Sequence, residues 1–375
     1  MRKLIAALSA AALLALGGCA QSIYVNYRDI ESLRVVQALG LDAAADGGVV
    51  LSAASGPDAS GREPLRLTRK GESLDAAMRE LEALTGGGQL FFAGTGAIVL
   101  GEAAADEAAR WLDAVTRSKE LRLDTELYVL RGGEAAELLC GEDAPEDVFA
   151  ALDALAQRLR RNGPSPAPGC ADAARALTGS GAALAAAIEL EKGAEGKLTP
   201  IPAGFAVLTD SGLAAWLEDE AALGAGLFAG GPGAALLELG GVTVELAGAK
   251  AELEPLWADG GLAALRVFVE ASGSVIGAPA GSKPDSGAAR AELEAALAEA
   301  LRSGVEAALE ISRGTGADFL GLGRRLETEQ PARFAAMRRP WAETLPELEF
   351  EVEARAKILN VREYADSPFG GEAAG

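Results

Sequence analysis

The sequence predicts an α+β protein that follows a cleaved lipoprotein signal peptide, and three observations predict it. A basic head, Met1-Arg2-Lys3, leads into an uncharged run from Leu4 to Leu16, then Gly17-Gly18 and Cys19. Beyond that point, stretches whose apolar residues recur every three or four positions alternate with stretches in which they recur every two, the periods of helix and strand. The remaining length, roughly 355 residues, suffices for two or three domains with cores of their own. A hydrophobic content of 49% with 24% charged residues belongs to a globular chain rather than a disordered one.

The first apolar run is about 13 residues, short of the roughly 20 that cross a bilayer as a helix. Gly17 and Gly18 are small enough for a signal peptidase, so residues 1–18 read as a secretory signal. A cysteine directly after Leu-x-Gly is the pattern called a lipobox, in which the thiol of Cys19 receives a diacylglyceryl group and the mature chain begins at that residue. The other reading is an ordinary secreted protein in which Cys19 is incidental. Lipidation is favoured because cysteines are rare in this chain and this one stands at the one useful position. Each buried CH₂ contributes about 0.8 kcal/mol, so several acyl chains on one residue hold a soluble domain durably at a membrane. A second uncharged stretch, Ala221 to Leu237, is interrupted by five glycines and Pro232 and reads as helix end and turn rather than a membrane span.

Charge and composition remove several function classes. The net charge is −21, and without Arg2 and Lys3 it is −23, 32 basic against 55 acidic residues. Such a surface is a poor partner for nucleic acid, whose phosphates need a basic face. Anionic lipid repels it too, which leaves the anchoring to the acyl chains. The chain has no histidine, so Ser-His-Asp and Cys-His devices and the usual zinc ligand sets are missing. Cys140 and Cys170 are compatible with a disulfide across a Pro/Gly-rich loop, since export permits one, and equally with two separate buried thiols.

The elements follow in order. Residues 30–41 run from a short helical turn into an apolar strand, and "AAADGG" turns it toward a second strand, Val49 to Ala53, giving a hairpin. Ser73 caps an amphipathic helix that carries Leu74, Ala77, Met78, Leu81 and Leu84 on one face and stops at three glycines. "QLFFAG" and "AIVLGE" read as short buried strands around a Gly-Thr-Gly turn. A helix from about Ala104 to Arg117 turns Ala108, Trp111, Leu112 and Val115 inward. "LRLDTELYVLRGG" alternates as a half-buried strand. From Glu134 to Leu190 the alanine-rich chain reads as mostly helical, with a loop at 161–169 and a further break at 191–204. Phe205 to Thr209 is a strand, "DSG" a turn, and Trp216-Leu217 lead into a helix. Strands at Val242–Leu246 and Leu265–Val269 precede a loop, a long helix from about Ala288 to Arg313, and a last strand. In that strand Leu348, Phe350, Val352, Ala354, Ala356 and Ile358 face one way and Glu349, Glu351, Glu353, Arg355 and Lys357 the other.

The motifs that look chemical have plainer readings. "GGGQLFFAGTG" and "GADFLGLG" lack the Lys-Ser/Thr of a phosphate loop, so their glycines mark tight turns. "LTDSG" has no base beside its Asp and Ser and reads as turn residues. Glu349, Glu351 and Glu353 read as a solvated face rather than a metal cluster. Trp111, Trp216, Trp257 and Trp341 read as core anchors, Trp341 pinning the last helix to the sheet.

Taken together and in order, five segments resemble the Ger(x)C family, the lipoprotein C subunits of nutrient germinant receptors in endospore-forming bacteria. They are the lipobox ending in Cys19; "RDIESLRVVQALGLD" at 28–42; "GESLDAAMRELEALTGGGQLFFAG" with "AIVLGE"; "FAVLTDSGLAAWLEDEAALG"; and "GADFLGLGRRLETEQPARFAAMRRPWAETLPELEFEVEARAKI", similar to the family's Ala-Asp-x-Phe-Gly-x-Gly close. The chain departs from the family in a longer lead before the first motif, in lacking a histidine after Phe91-Phe92, and in its alanine-rich middle. The resemblance implies three mixed α/β domains, placed at 19–132, 133–235 and 236–368. It also implies a lipid anchor on the outer face of the spore's inner membrane, and assembly with a multi-spanning A subunit and a membrane-embedded B subunit. No catalytic residue, metal or cofactor is implied beyond the covalent lipid on Cys19. The residues it singles out as an interaction or structural motif are Trp216, Leu217, Asp318, Phe319, Gly321, Gly323 and Trp341. Two rival readings are a solute-binding lipoprotein, which requires a two-lobed fold, and an envelope hydrolase, which requires paired carboxylates in a cleft.

Overall fold

The computed structural model describes residues 33–57, 63–86, 89–163, 165, 167–193, 195–229, 235–258, 261–279 and 286–361. Cys19 and the expected helical turn at 30–32 lie outside them. In chain order the elements are β1 (Leu33–Val35), β2 (Ala38–Ala43), β3 (Val49–Ala54), β4 (Arg66–Gly71), α1 (Leu74–Ala83), β5 (Gln89–Phe91), β6 (Ala97–Gly101), α2 (Glu102–Ala105), α3 (Ala108–Arg117), β7 (Glu126–Leu130), α4 (Ala135–Cys140), α5 (Val148–Asn162), α6 (Cys170–Ser180), β8 (Ala182–Lys192), β9 (Leu198–Thr209), β10 (Gly212–Leu217) and α7 (Asp219–Phe228). Then follow β11 (Leu236–Leu239), β12 (Val242–Ala258), β13 (Gly261–Gly277), α8 (Gly287–Thr315), α9 (Leu322–Glu329), α10 (Pro331–Ala335), α11 (Trp341–Thr344) and β14 (Glu349–Val361).

Eight strands form one sheet in the order β10-β9-β8-β7-β6-β2-β3-β4, so strands from both sides of residue 133 are hydrogen-bonded together. The middle of this sheet is parallel (β8, β7, β6, β2) and the two ends are antiparallel. Parallel strands are covered on both faces, and alternate residues separate into two cores. Leu39, Ile98, Leu127 and Val129 pack with α1, α3 and α6, while Ala38, Val99, Tyr128 and Leu130 pack with α4 and α5. A third core lies between α7, α8 and the four-stranded sheet β11-β12-β13-β14. Along α8, Leu293, Leu297, Leu301, Val305 and Leu309 recur every fourth residue and are buried. Each contributes about 1.5–3 kcal/mol, enough to hold a 29-residue helix to its sheet.

The hairpin, the Ser73-capped helix, the strand-turn-strand at 205–217, the long helix and the alternating last strand are as the sequence predicts. Ser73 Oγ accepts from the Ala76 N–H at 3.2 Å. Several expectations are corrected. Residues Phe92–Gly94 form a 3₁₀ turn, not the end of a strand. The helix at 104–117 is two, α2 and α3, which meet at Asp106-Glu107. The strand expected at 121–133 is only Glu126–Leu130, and it is buried on both faces because helices cover both sides. Ala182–Leu190, expected as helix, is most of the strand β8, and the expected break at 191–204 is mostly strand. The loop expected after Val269 is still β13 as far as Gly277, which pairs with Thr243.

Candidate functional site

The motif residues at 318–341 converge on one buried carboxylate. Asp318 is 2% exposed, and Ser312, also buried, fixes the turn before it by donating to the Ala317 carbonyl at 2.7 Å. Gly321, at φ +67°, turns the chain so that the first N–H groups of α9 point back at the aspartate. Asp318 Oδ1 accepts from the Leu322 N–H at 2.8 Å, and Oδ2 accepts from the Gly323 N–H at 2.8 Å and from Trp341 Nε1 at 2.9 Å. A Cβ on Gly323 would lie 2.6 Å from Trp341 Nε1, so glycine is what admits the indole. Phe319 is buried in the core below. Burial pushes the Asp318 carboxyl above the ordinary carboxylate range, against the three N–H donors, which hold it down. Trp341 is thus bonded to Asp318 and lies against Gly323 in the first turn of α9, while it also packs against the core that the last helices share with the sheet. Asp318 satisfies donors that a helix start leaves open and carries a negative charge to the positive end of the helix.

A second carboxylate does the same work in the eight-stranded sheet, and sequence reasoning missed it. Asp42, 3% exposed at the end of β2, accepts from the Ala135 N–H at 2.7 Å and the Ala136 N–H at 2.9 Å, the start of α4. Burial raises its pKa to about 6, the two N–H bonds lower it, and Glu134 nearby adds to the rise. A Cβ on Gly101 would stand 2.1 Å from Asp42 Oδ1. "GLD" and "VLGE", which lie 59 residues apart in the chain, are thus one device, a carboxylate and the space for it. The available signal was an aspartate closing an otherwise apolar strand.

Trp216 and Leu217 lie elsewhere, at the end of β10. Leu217 is fully buried, and Trp216 packs half-buried against the first core with the Arg131 guanidinium 5.5 Å from its ring centroid. Arg131 also pairs with Glu218 and, at 3.5 Å, with Glu189, so it joins β7, β8 and the start of α7. Glu351 accepts from Arg266 Nε at 2.8 Å on the solvated face of the last strand. Cys140 and Cys170 are separate thiols, because they sit on opposite faces of the sheet. Burial pushes the Cys170 thiol up to about 12, so it is inert. Among the described residues no group of three or more His, Cys, Asp or Glu is placed to hold a metal, and no helix is long and apolar enough to cross a membrane.

Two family models match in tandem: "Spore germination protein N-terminal domain" over residues 26–190, and "Spore germination B3/GerAC like, C-terminal" over residues 203–362. No curated protein matches the sequence. Among solved structures the chain is similar to the crystal structure of the GerBC protein, with a TM-score of 0.56 and 16% identity, covering 86% of this chain and 97% of that one. That likeness shows the shared multi-domain α+β fold, and the two clasped aspartates sit in segments that the two family models cover, one in each. With both halves matched in order, the chain belongs to the Ger(x)C family of germinant-receptor C subunits.

Proposed function

We propose that this chain is a lipid-anchored, non-enzymatic C subunit of a nutrient germinant receptor. It is held by Cys19 at the outer face of the spore's inner membrane and assembled there with the multi-spanning A subunit and the membrane-embedded B subunit. The observation that carries the reading is the tandem family match over residues 26–190 and 203–362. The geometry supports it, because the motif residues Asp318, Gly321 and Gly323 are used to seat the start of α9, and Asp318 spends both carboxylate oxygens on the N–H groups of Leu322, Gly323 and Trp341. A tether that confines a domain beside its partners raises their effective concentration to the millimolar range, so modest interfaces suffice. The test is dipicolinate release from spores lacking this chain, across a panel of amino acids and sugars. Loss of the response to a subset of nutrients is expected. A response unchanged for every nutrient overturns the reading.

A further inference from the structure

The last strand, β14, ends its sheet, and among the described residues no strand lies on its outer side. It is 13 residues long and holds neither proline nor glycine, whereas exposed edges are commonly kept short or broken by proline. Its core-facing side chains show the open side. On β13, Leu265, Val267 and Val269 are at most 1% exposed, while their neighbours Phe350, Val352 and Ala354 on β14 are only half-buried. Ile358 turns its backbone outward, for its N–H donates to Glu294 Oε1 at 3.0 Å and its carbonyl accepts from Arg290, both in the first turns of α8. By the two-residue period of a strand, the N–H and C=O groups of Val352, Ala354 and Ala356 point the same way, where no strand meets them. α8 thus closes the edge at Ile358 and leaves the stretch before it to be paired.

The exposed row of β14 selects what pairs with it. It reads Glu349, Glu351, Glu353, Arg355, Lys357, acids first and bases second. Glu351 pairs with Arg266, and Glu270 lies across from Arg355 on β13, but Glu353, Arg355 and Lys357 form no ion pair among the described residues. A uniformly acidic or basic strand would match only half of this row. A strand whose charge reverses along its length matches its own antiparallel copy, the self-complementary contact of a two-fold dimer. With the axis at Ala354, Glu353 stands opposite Arg355 of the second copy and Glu351 opposite its Lys357, while Val352 stands opposite its Ala356 on the core face. An axis at residue 353 would set Glu353 against itself, and one at 355 would set Arg355 against itself. An axis at 352 or 356 would oppose Glu351 to Glu353 or Arg355 to Lys357. We propose that β14 pairs antiparallel with β14 of a second copy of this chain, about a two-fold axis at Ala354, so that the two four-stranded sheets become one. The pairing rests on β14 and α8 and is independent of the function proposed above.

The test uses the full chain in vegetative cells that make no A or B subunit, with membrane and soluble fractions both read. Mild oxidation of Ala354→Cys is expected to give a covalent dimer, since directly opposite residues of a hydrogen-bonded pair stand about 5.5 Å apart, within reach of a disulfide. Val352→Cys and Ala356→Cys, each roughly 13 Å from its own copy in this register, are expected to give none above the background that Cys140 and Cys170 leave in wild type. Adding Arg355→Glu with Lys357→Glu to Ala354→Cys makes the row acidic throughout and is expected to lower the dimer by roughly tenfold or more, because like charges then stand opposite each other. Adding Glu351→Lys with Glu353→Lys as well inverts the row and restores the dimer. Abundance and melting temperature stay at wild-type values throughout. No dimer of Ala354→Cys above background overturns the proposal. So does equal cross-linking at residues 352, 354 and 356, which is collision without register, and so does a dimer indifferent to the charge changes. If spores lacking the chain respond to every nutrient while the register-specific dimer forms, the receptor reading fails and the pairing stands. If the deletion silences a subset of responses and Ala354→Cys stays monomeric, the reverse holds.

Discussion

Asp42 and Asp318 show how single residues bear the architecture here. Asp318→Ala leaves the Leu322 and Gly323 N–H groups and the Trp341 indole without an acceptor. Each buried donor left open costs about 1–3 kcal/mol. We expect a loss of about 3 kcal/mol or more in urea unfolding, with Trp341 emission moving to the red as the indole gains water. A loss under about 1 kcal/mol would mean that α9 is held by its core contacts alone. Asp42 makes a sharper prediction because its pKa, about 6 in the fold, exceeds the ordinary 3.8. Between these values the folded chain binds more protons than the unfolded one, so stability from this group is present at low pH and is lost as pH rises through about 6. The stability of wild type relative to Asp42→Asn should therefore fall between pH 4 and pH 7, by up to about 3 kcal/mol at 1.36 kcal/mol per pKa unit, and level off above. An advantage that grows with pH would show that the Ala135 and Ala136 N–H bonds outweigh burial. Neither role was legible in the sequence. The sequence marks Asp318 only as part of a motif and leaves Asp42 unmarked, because the helix that each one clasps is known only once the chain is folded.

At the scale of elements, the crossing of α7 and α8 joins the eight-stranded body to the four-stranded sheet through backbone contact. A Cβ on Gly224 would stand 2.0 Å from the Gly304 carbonyl oxygen, and one on Gly304 would stand 2.7 Å from that of Glu220. Neither obstacle is the free end of a side chain. Gly224→Ala must separate the helices, and overpacking of this kind costs about 1–3 kcal/mol. A Cβ on Gly314, on the same long helix, would meet nothing within 4 Å, so Gly314→Ala should gain up to about 1 kcal/mol from helix propensity alone. Thermal melts of the two variants should move in opposite directions, and movement in the same direction would remove the crossing as the reason. The elements that the sequence revealed are those with one wet face, such as α1, α3 and β14, where polar residues mark the period. Those it hid are buried on both sides. Ala182–Leu190 reads as helix because alanine favours helices, yet it is strand because pairing with β7 and β9 and cover from both cores decide the matter. Residues 247–251 and 270–277 are rich in glycine, serine and alanine, and they extend because they complete ladders with the neighbouring strands.

For the whole molecule, the proposed tether has to hold a strongly acidic body at a membrane. Charge attraction to anionic lipid acts over about 10 Å at 0.1 M salt and about 3 Å at 1 M, and it disfavours a body with 55 acidic against 32 basic residues once Arg2 and Lys3 are set aside. The proposed acyl chains on Cys19 would be indifferent to salt, since their hold comes from CH₂ groups removed from water. The experiment that separates the two terms uses vegetative cells that make no A or B subunit, so that assembly contributes nothing. In them, the wild-type chain should remain with the membrane through a 1 M salt wash, and Cys19→Ala should appear in the soluble fraction before any wash, with an unchanged melting temperature. A Cys19→Ala chain that stays with the membrane until salt removes it would locate the hold in basic side chains, with the arginines of residues 330–341 as the place to look. Salt-independent retention of that variant would point to an uncleaved apolar run at residues 4–16. Only the first outcome is compatible with a body that reaches its membrane through lipid alone.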